Sequence, residues 1–105
     1  MHRFNQIEML VAVVEEASFT AAAERLNVSK SHVSRQIKEL EEHLGVRLLN
    51  RTTRQVSVTS EGEIFTQRCA NVIEEFERAE RALTQRRTDP VGLLKVAAPM
   101  TFGVN

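Results

Sequence analysis

The 105-residue chain has no tryptophan and no tyrosine, and its five phenylalanines are its only aromatic rings, 5% of the residues. With 42% hydrophobic residues, its core must come from aliphatic side chains and alanine, enough for one small domain. A single cysteine, Cys69, excludes an internal disulfide and fits a reducing, cytoplasmic setting. No apolar run approaches the roughly 20 residues of a membrane span. The opening MHRFNQIEML holds polar and acidic groups where a signal peptide needs an apolar stretch. Catalytic signatures are missing too: no glycine-rich phosphate loop, no Cys/His metal set, and no nucleophile with a base at useful spacing. His2 and His43 have no ligand partners at metal spacing and read as surface residues. Neither enzyme activity nor a metal or cofactor is expected. Internal repeats and low-complexity segments are also absent.

Net charge is absent as well, since 14 Lys and Arg balance 14 Asp and Glu. The distribution is uneven, however. Lys30, Arg35, Lys38, Arg47, Arg51 and Arg54 face only Glu39, Glu41 and Glu42 over residues 30–54, while acids gather at 74, 75, 77 and 80. A neutral total conceals a basic patch.

Phe4, Ile7, Leu10, Val11 and Val14 recur at helical spacing and predict a first amphipathic helix over residues 4–16. Ser18 or Thr20 can cap a second helix, TAAAERL, whose three alanines permit a close neighbour. Asn27 suits a left-handed helix end, Val28 is expected to plug inward, and Ser29 caps a third helix that stops at Gly45. So short a connection is that of a helix-turn-helix. Strand-like runs follow at 47–49 and 55–59, around an NRTTR tip, and predict a small hairpin or wing over 50–55. A long helix then begins, with Thr59 or Ser60 as cap and a capping box from Ser60 to Glu63.

Along that helix Phe65, Cys69, Val72, Phe76, Ala79 and Leu83 advance in steps of four and three, a heptad seam broadened by Ile64 and Ile73. Its length, about 40 Å at 1.5 Å per residue, exceeds what so small a domain covers, so the seam calls for a partner chain. The alternative is packing on its own domain. Cys69 reads as a small hydrophobe of this seam; the alternative is an oxidant-sensing thiol, for which only Arg68 lies close. Pro90 ends the helix, and VGLLKVAAP has strand composition.

The third helix carries the functional question. Val33, Ile37, Leu40 and Leu44 share one side. The other opens with Ser29, Lys30, Ser31, Ser34 and Arg35 and holds no carboxylate for a turn and a half. In a helix-turn-helix the second helix presents its N-terminal residues to base edges in the DNA major groove. Serines permit close approach, Arg35 can clasp a guanine edge with two bonds, and the helix N-terminus favours phosphate. Ser29 is a cap first and a DNA contact second. His32 is either a phosphate neighbour or a spacer at the groove's edge.

SFTAAAERL (18–26), VSRQIKELEEHLGVRLLNR (33–51) and the T-x-x-G at Thr59–Gly62 together resemble the N-terminal winged helix-turn-helix of LysR-type transcriptional regulators, and the likeness covers residues 4–98. It implies a mainly α fold of three helices plus a hairpin wing in a DNA-binding domain at 1–60. A dimerisation linker helix at 61–88 would follow, then a hinge and first strand of an effector-binding domain at 89–105. It also implies a cytoplasmic bacterial regulator that binds double-stranded operator DNA as a homodimer, with a tetramer open to the longer protein. The operator would be an interrupted inverted repeat. No cofactor belongs to this fragment; a small-molecule effector would bind the domain that follows. By resemblance Lys30, Ser31, Ser34 and Arg35 face the groove, with Lys38 adding to their basic strip. Arg51 and Thr52 would contact the backbone, and Arg54 would stand at the minor groove. Many members carry Gln-Pro-Ala where this chain has Lys30-Ser31-His32. Lys in place of Gln exchanges a bidentate adenine reader for a point charge, so docking carries over but base preference there does not. The rival is a protein-interaction module that uses winged helix and coiled coil without DNA.

Overall fold

In a computed structural model that describes residues 2–51 and 56–88 (the last three as backbone only), the order is α1 (His2–Glu16), α2 (Phe19–Leu26), α3 (Lys30–Leu44), β1 (Leu49–Arg51), β2 (Val56–Val58) and α4 (Ser60–Thr88). The expected winged helix-turn-helix with a long following helix is what forms. Residues 89–105 and the wing positions Thr52 and Arg54 lie outside the described residues. The chain divides into two compact units, Met1–Ile73 and Glu74–Asn105.

Within the first unit, α1 contributes Met9, Leu10, Ala12 and Val13 to the core, α2 Ala22 and Ala23, and α3 Val33, Ile37 and Leu40. Leu48 and Leu49 complete it from the chain entering β1. The buried alanines of α2 leave room for its neighbours to approach, as expected of TAAAERL. α1 starts at His2, two residues before the apolar pattern does. Its Gln6 is fully buried. The Gln6 amide is satisfied by Arg3 Nη1 at 2.7 Å, Gln36 Oε1 at 3.0 Å and Glu39 Oε1 at 3.2 Å, which ties α1 to α3 through a polar contact that burial makes costly to break.

Helix ends follow local chemistry. Ser18 Oγ accepts from Ala21 N at 3.0 Å, so Ser18 rather than Thr20 caps α2. Asn27 adopts the left-handed conformation (φ 61°, ψ 45°). The N–H groups of Asn27 and Val28 bond Glu24 O and Ala23 O, a Schellman closure. Val28, just past that closure, is 36% exposed, so the full inward plug expected of it does not form. Gly45 ends α3 at φ 74°, and both Gly45 N and Val46 N bond Glu41 O.

β1 and β2 pair antiparallel, with Leu49 opposite Val58 and Arg51 opposite Val56. The passage into α4 is more constrained than a capping box. Thr59 Oγ1 accepts from Gly62 N at 2.9 Å and donates to Arg47 O at 2.7 Å, with Leu48 O 3.2 Å away. Thr59 N bonds Leu48 O at 3.0 Å. The cap is therefore Thr59, not Ser60, and the Ser60–Glu63 box is replaced by Thr59-x-x-Gly62. Glycine is required there by space: a Cβ on Gly62 would stand 2.0 Å from Leu48 O and 2.8 Å from Val58 Cγ2.

The heptad seam does not behave uniformly. Phe65 packs against the core and Cys69 is buried, so the first two seam positions are covered by their own unit. Val72 (53%), Phe76 (42%) and Leu83 (62%) are exposed, as is Ala79. Burial also raises the Cys69 thiol above its ordinary pKa.

Two outcomes follow. Helix propensity alone favours Gly62→Ala by about 1 kcal/mol, yet the collision with Leu48 O should reverse the sign and cost about 1–3 kcal/mol or more, read as a lower denaturation midpoint. Cys69, held in its protonated form by burial, should react slowly with a thiol reagent near pH 8 in the native chain and rapidly in denaturant.

Candidate nucleic-acid interface

α3 separates its two jobs by helical period. Val33, Ile37 and Leu40 are buried, while Lys30, Ser31, Arg35 and Lys38 are exposed and Ser34 and His32 half-buried. The first turn carries no acid. Ser29 holds extended backbone (φ −79°, ψ 153°), and its Oγ accepts from His32 N at 3.0 Å. Ser31 Oγ lies 3.4 Å from the same hydroxyl. The cap leaves the positive end of the helix open to solvent, with remaining first-turn N–H groups available to an anion.

The cations on this face are not neutralised by the carboxylates beside them. Glu39, one turn beyond Arg35 and the obvious intrahelical partner, instead accepts from Gln6 and stands 3.5 Å from His2 Nε2. Arg35 Nη2 lies 3.4 Å from His32 Nδ1. His32 thus has a role that sequence did not suggest: with Nδ1 as acceptor, it steadies the guanidinium three residues on. Lys30 and Lys38 enter no ion pair among the described residues. By contrast Arg25, at the end of α2, is occupied by Glu15 (2.8 Å) and Glu16 (3.3 Å). The hydrogen bond that Arg25 donates to Glu15 is the main cause raising its pKa. Among the described residues, Lys30 and Lys38 of α3 therefore stand without a carboxylate partner where Arg25 does not.

Arg51 differs from these. Its Cζ sits 5.2 Å from the centroid of the Phe19 ring, within cation–π reach. Nη2 is 3.6 Å from Glu41 Oε1, and Nη1 approaches Ser34 Oγ at 3.5 Å. The side chain retains 29% exposure. One arginine of β1 therefore touches α2, α3 and a carboxylate together. Glu41 is the residue that sequence reasoning missed. In sequence it counts only as one of three acids among the basic residues of 30–54, whereas its Oε2 accepts from Leu48 N at 2.7 Å and Leu49 N at 3.1 Å. Only the fold brings these donors round to it; no spacing rule marks the contact. Lys38, Glu41, Glu42, Arg47 and Arg51 line one shallow cleft beside it. Among the described residues, no group of three His, Cys, Asp or Glu is placed to hold a metal ion. No helix among them is long and apolar enough to cross a membrane.

Residues 4–63 match the family model described as bacterial regulatory helix-turn-helix protein, lysR family. An HTH-type transcriptional regulator of Xanthomonas campestris pv. campestris (strain 8004) is 41% identical over 103 residues, 98% of this chain and 30% of that protein. The chain thus spans about a third of the length of the curated relatives it matches. Among solved structures, the complex of BenM DBD with catB site 1 DNA superposes with a TM-score of 0.77 at 36% identity, covering 82% of this chain and 96% of that one. The CbnR DBD–DNA complex gives 0.73 at 33% identity, covering 80% and 97%.

Proposed function

Since the chain belongs to the lysR family of bacterial regulatory helix-turn-helix proteins, we propose that it is the DNA-binding part of a transcriptional regulator, acting as a homodimer on an operator. One observation carries the reading: the N-terminal half of α3 exposes Lys30, Ser31 and Arg35 with no acid in its first turn, directly opposite a fully buried face. Such a helix is anchored by one side and presents the other to a polyanion.

In this reading Arg35 reads a base edge, guanine O6/N7 being the best geometric match. Lys30 contacts a phosphate or base near the helix start. Ser29, Ser31 and Ser34 permit close approach and donate hydrogen bonds, while His32 sets the Arg35 guanidinium. Lys38 extends the basic strip. Arg51 and Thr52 face the backbone from the wing and Arg54 the minor groove. Phosphate contacts hold the register and the few base contacts choose the sequence.

The dimer is proposed to form along α4. Val72 and Leu83 are more than half exposed on the seam, with Phe76 between them and Ile64 at 64% beside it. Apolar surface repeated over several turns is covered economically by a second copy of the same helix. Two recognition helices related by a twofold axis then call for an interrupted inverted repeat, with half-sites one helical turn (about 34 Å) or a multiple apart. Because the relatives are some three times longer, regulation by a small-molecule effector and any tetramer are assigned to the rest of such a protein.

Selection of duplexes from a random pool tests the whole reading, since it should recover a dyad. Binding should weaken steeply between about 50 and 200 mM salt; a salt-insensitive interaction would instead favour docking to a protein. Arg35→Ala should cost about 1–3 kcal/mol and relax preference at one base pair. Ser29→Asp separates stability from binding. Asp caps as well as Ser and suits the helix dipole, so the unfolding midpoint should hold or rise. Duplex affinity should nevertheless fall about tenfold or more through like-charge repulsion.

A further inference from the structure

Glu41 presents a paradox for a DNA-binding surface. Its carboxylate lies in the same cleft as Lys38, Arg47 and Arg51, where simple electrostatics says that a negative charge weakens attraction to phosphate. Its contacts explain why one is present. Oε2 takes the N–H groups of both Leu48 and Leu49, the two donors at the entrance to β1. Oε1 faces the Arg51 guanidinium at 3.6 Å. The backbone carbonyl of the same residue accepts from Gly45 N and Val46 N to close α3. A single residue thus ends the recognition helix and begins the wing strand. Only 14% of its side chain is exposed, so it is not offered to the duplex itself.

We propose that Glu41 is a positioning residue for DNA binding: its carboxylate clamps the start of β1 to α3 and so fixes where the wing stands relative to the recognition helix. The proposal rests on the DNA-binding reading above and deepens it. Glutamine cannot substitute. Its amide has one acceptor oxygen, so an NH2 group must face either the Leu48 and Leu49 donors or the guanidinium, donor against donor. Aspartate keeps the charge but withdraws the carboxylate by one methylene from amides it must reach.

The test measures affinity of the full chain for a duplex that the parent recovers from a random pool, across a salt series, for Glu41→Gln, Glu41→Asp and the exposed neighbour Glu42→Gln. A charge-only effect makes both glutamine variants bind tighter. Positioning makes Glu41→Gln weaker by about tenfold, the scale of one charge-assisted hydrogen bond, while Glu42→Gln binds as the parent or tighter. The salt slope supplies a readout that mere destabilisation does not move. A misplaced wing loses a phosphate contact and flattens the log–log slope by roughly 0.9 although no cation has been removed. A smaller folded fraction lowers affinity equally at every salt concentration. Glu41→Asp, with unchanged net charge, should shift both quantities in the same direction. Parental or tighter binding by Glu41→Gln overturns the proposal, as does weaker binding with the parental slope, or failure of both Glu41 variants to fold. A parent chain that retains no duplex overturns the DNA-binding reading, and this proposal with it.

Discussion

The structure turns on the peptide groups at Leu48. The side chain is fully buried, which in an irregular segment would leave its N–H and C=O stranded away from water at a cost of about 1–3 kcal/mol each. Neither is stranded. Glu41 of α3 takes the N–H, while Thr59, at the head of α4, donates its own N–H to the C=O and brings its hydroxyl within 3.2 Å. Gly62 then presses its bare Cα against the same oxygen. Three elements are pinned at one residue, and the two β-strands are only three residues each, too short to hold a wing in place alone.

The same contacts help to hold α3 in place. α3 is fixed along its inner face by Val33, Ile37 and Leu40, to α1 through the buried Gln6 amide, and at its C-terminal end through Glu41. Its outer cations then need no internal partner, and two of the nearby carboxylates are engaged by other donors: Glu39 by Gln6, Glu41 by the Leu48 and Leu49 amides. Exposed ion pairs contribute little, typically about 0–1 kcal/mol, so leaving Lys30 and Lys38 unpaired costs the fold almost nothing and leaves their charge exposed. Arg51 is the exception. It lies between Phe19, Ser34 and Glu41, and its charge serves the frame as well as the surface.

Much of this was legible in advance where the determining physics is local. Ser18, Asn27, Ser29 and Gly45 mark helix ends through hydrogen bonds within a turn or through a backbone angle that few residues tolerate. The buried and exposed faces of α3 follow from a period of 3.6. The misreadings share a cause. Val28 is expected inside because it is apolar, yet it stands 36% exposed just past the closure of α2. Ser60 and Glu63 satisfy the capping pattern, but Thr59 reaches Leu48 and takes the role. Ala17 at φ 55° carries no sequence mark at all, because alanine is an unfavourable choice for that angle and only the turn between α1 and α2 imposes it. The seam on α4 was correctly periodic, yet periodicity cannot say that Phe65 and Cys69 are covered by their own unit while Val72 and Leu83 stay open.

Sequence by itself determined the helices, the ends of α3 at Ser29 and Gly45, the acid-free opening of α3 and the apolar repeat of α4, since each depends on residues within a turn or two of one another. Tertiary structure alone decided which carboxylates stay clear of the cations on α3, which residue takes the amides at the entrance to β1, and why a glycine must follow Thr59 by three. Those outcomes depend on donors and acceptors brought together from 7 to 33 residues apart, and a hydrogen bond's partner at that range is set by how the chain has folded rather than by what lies beside it.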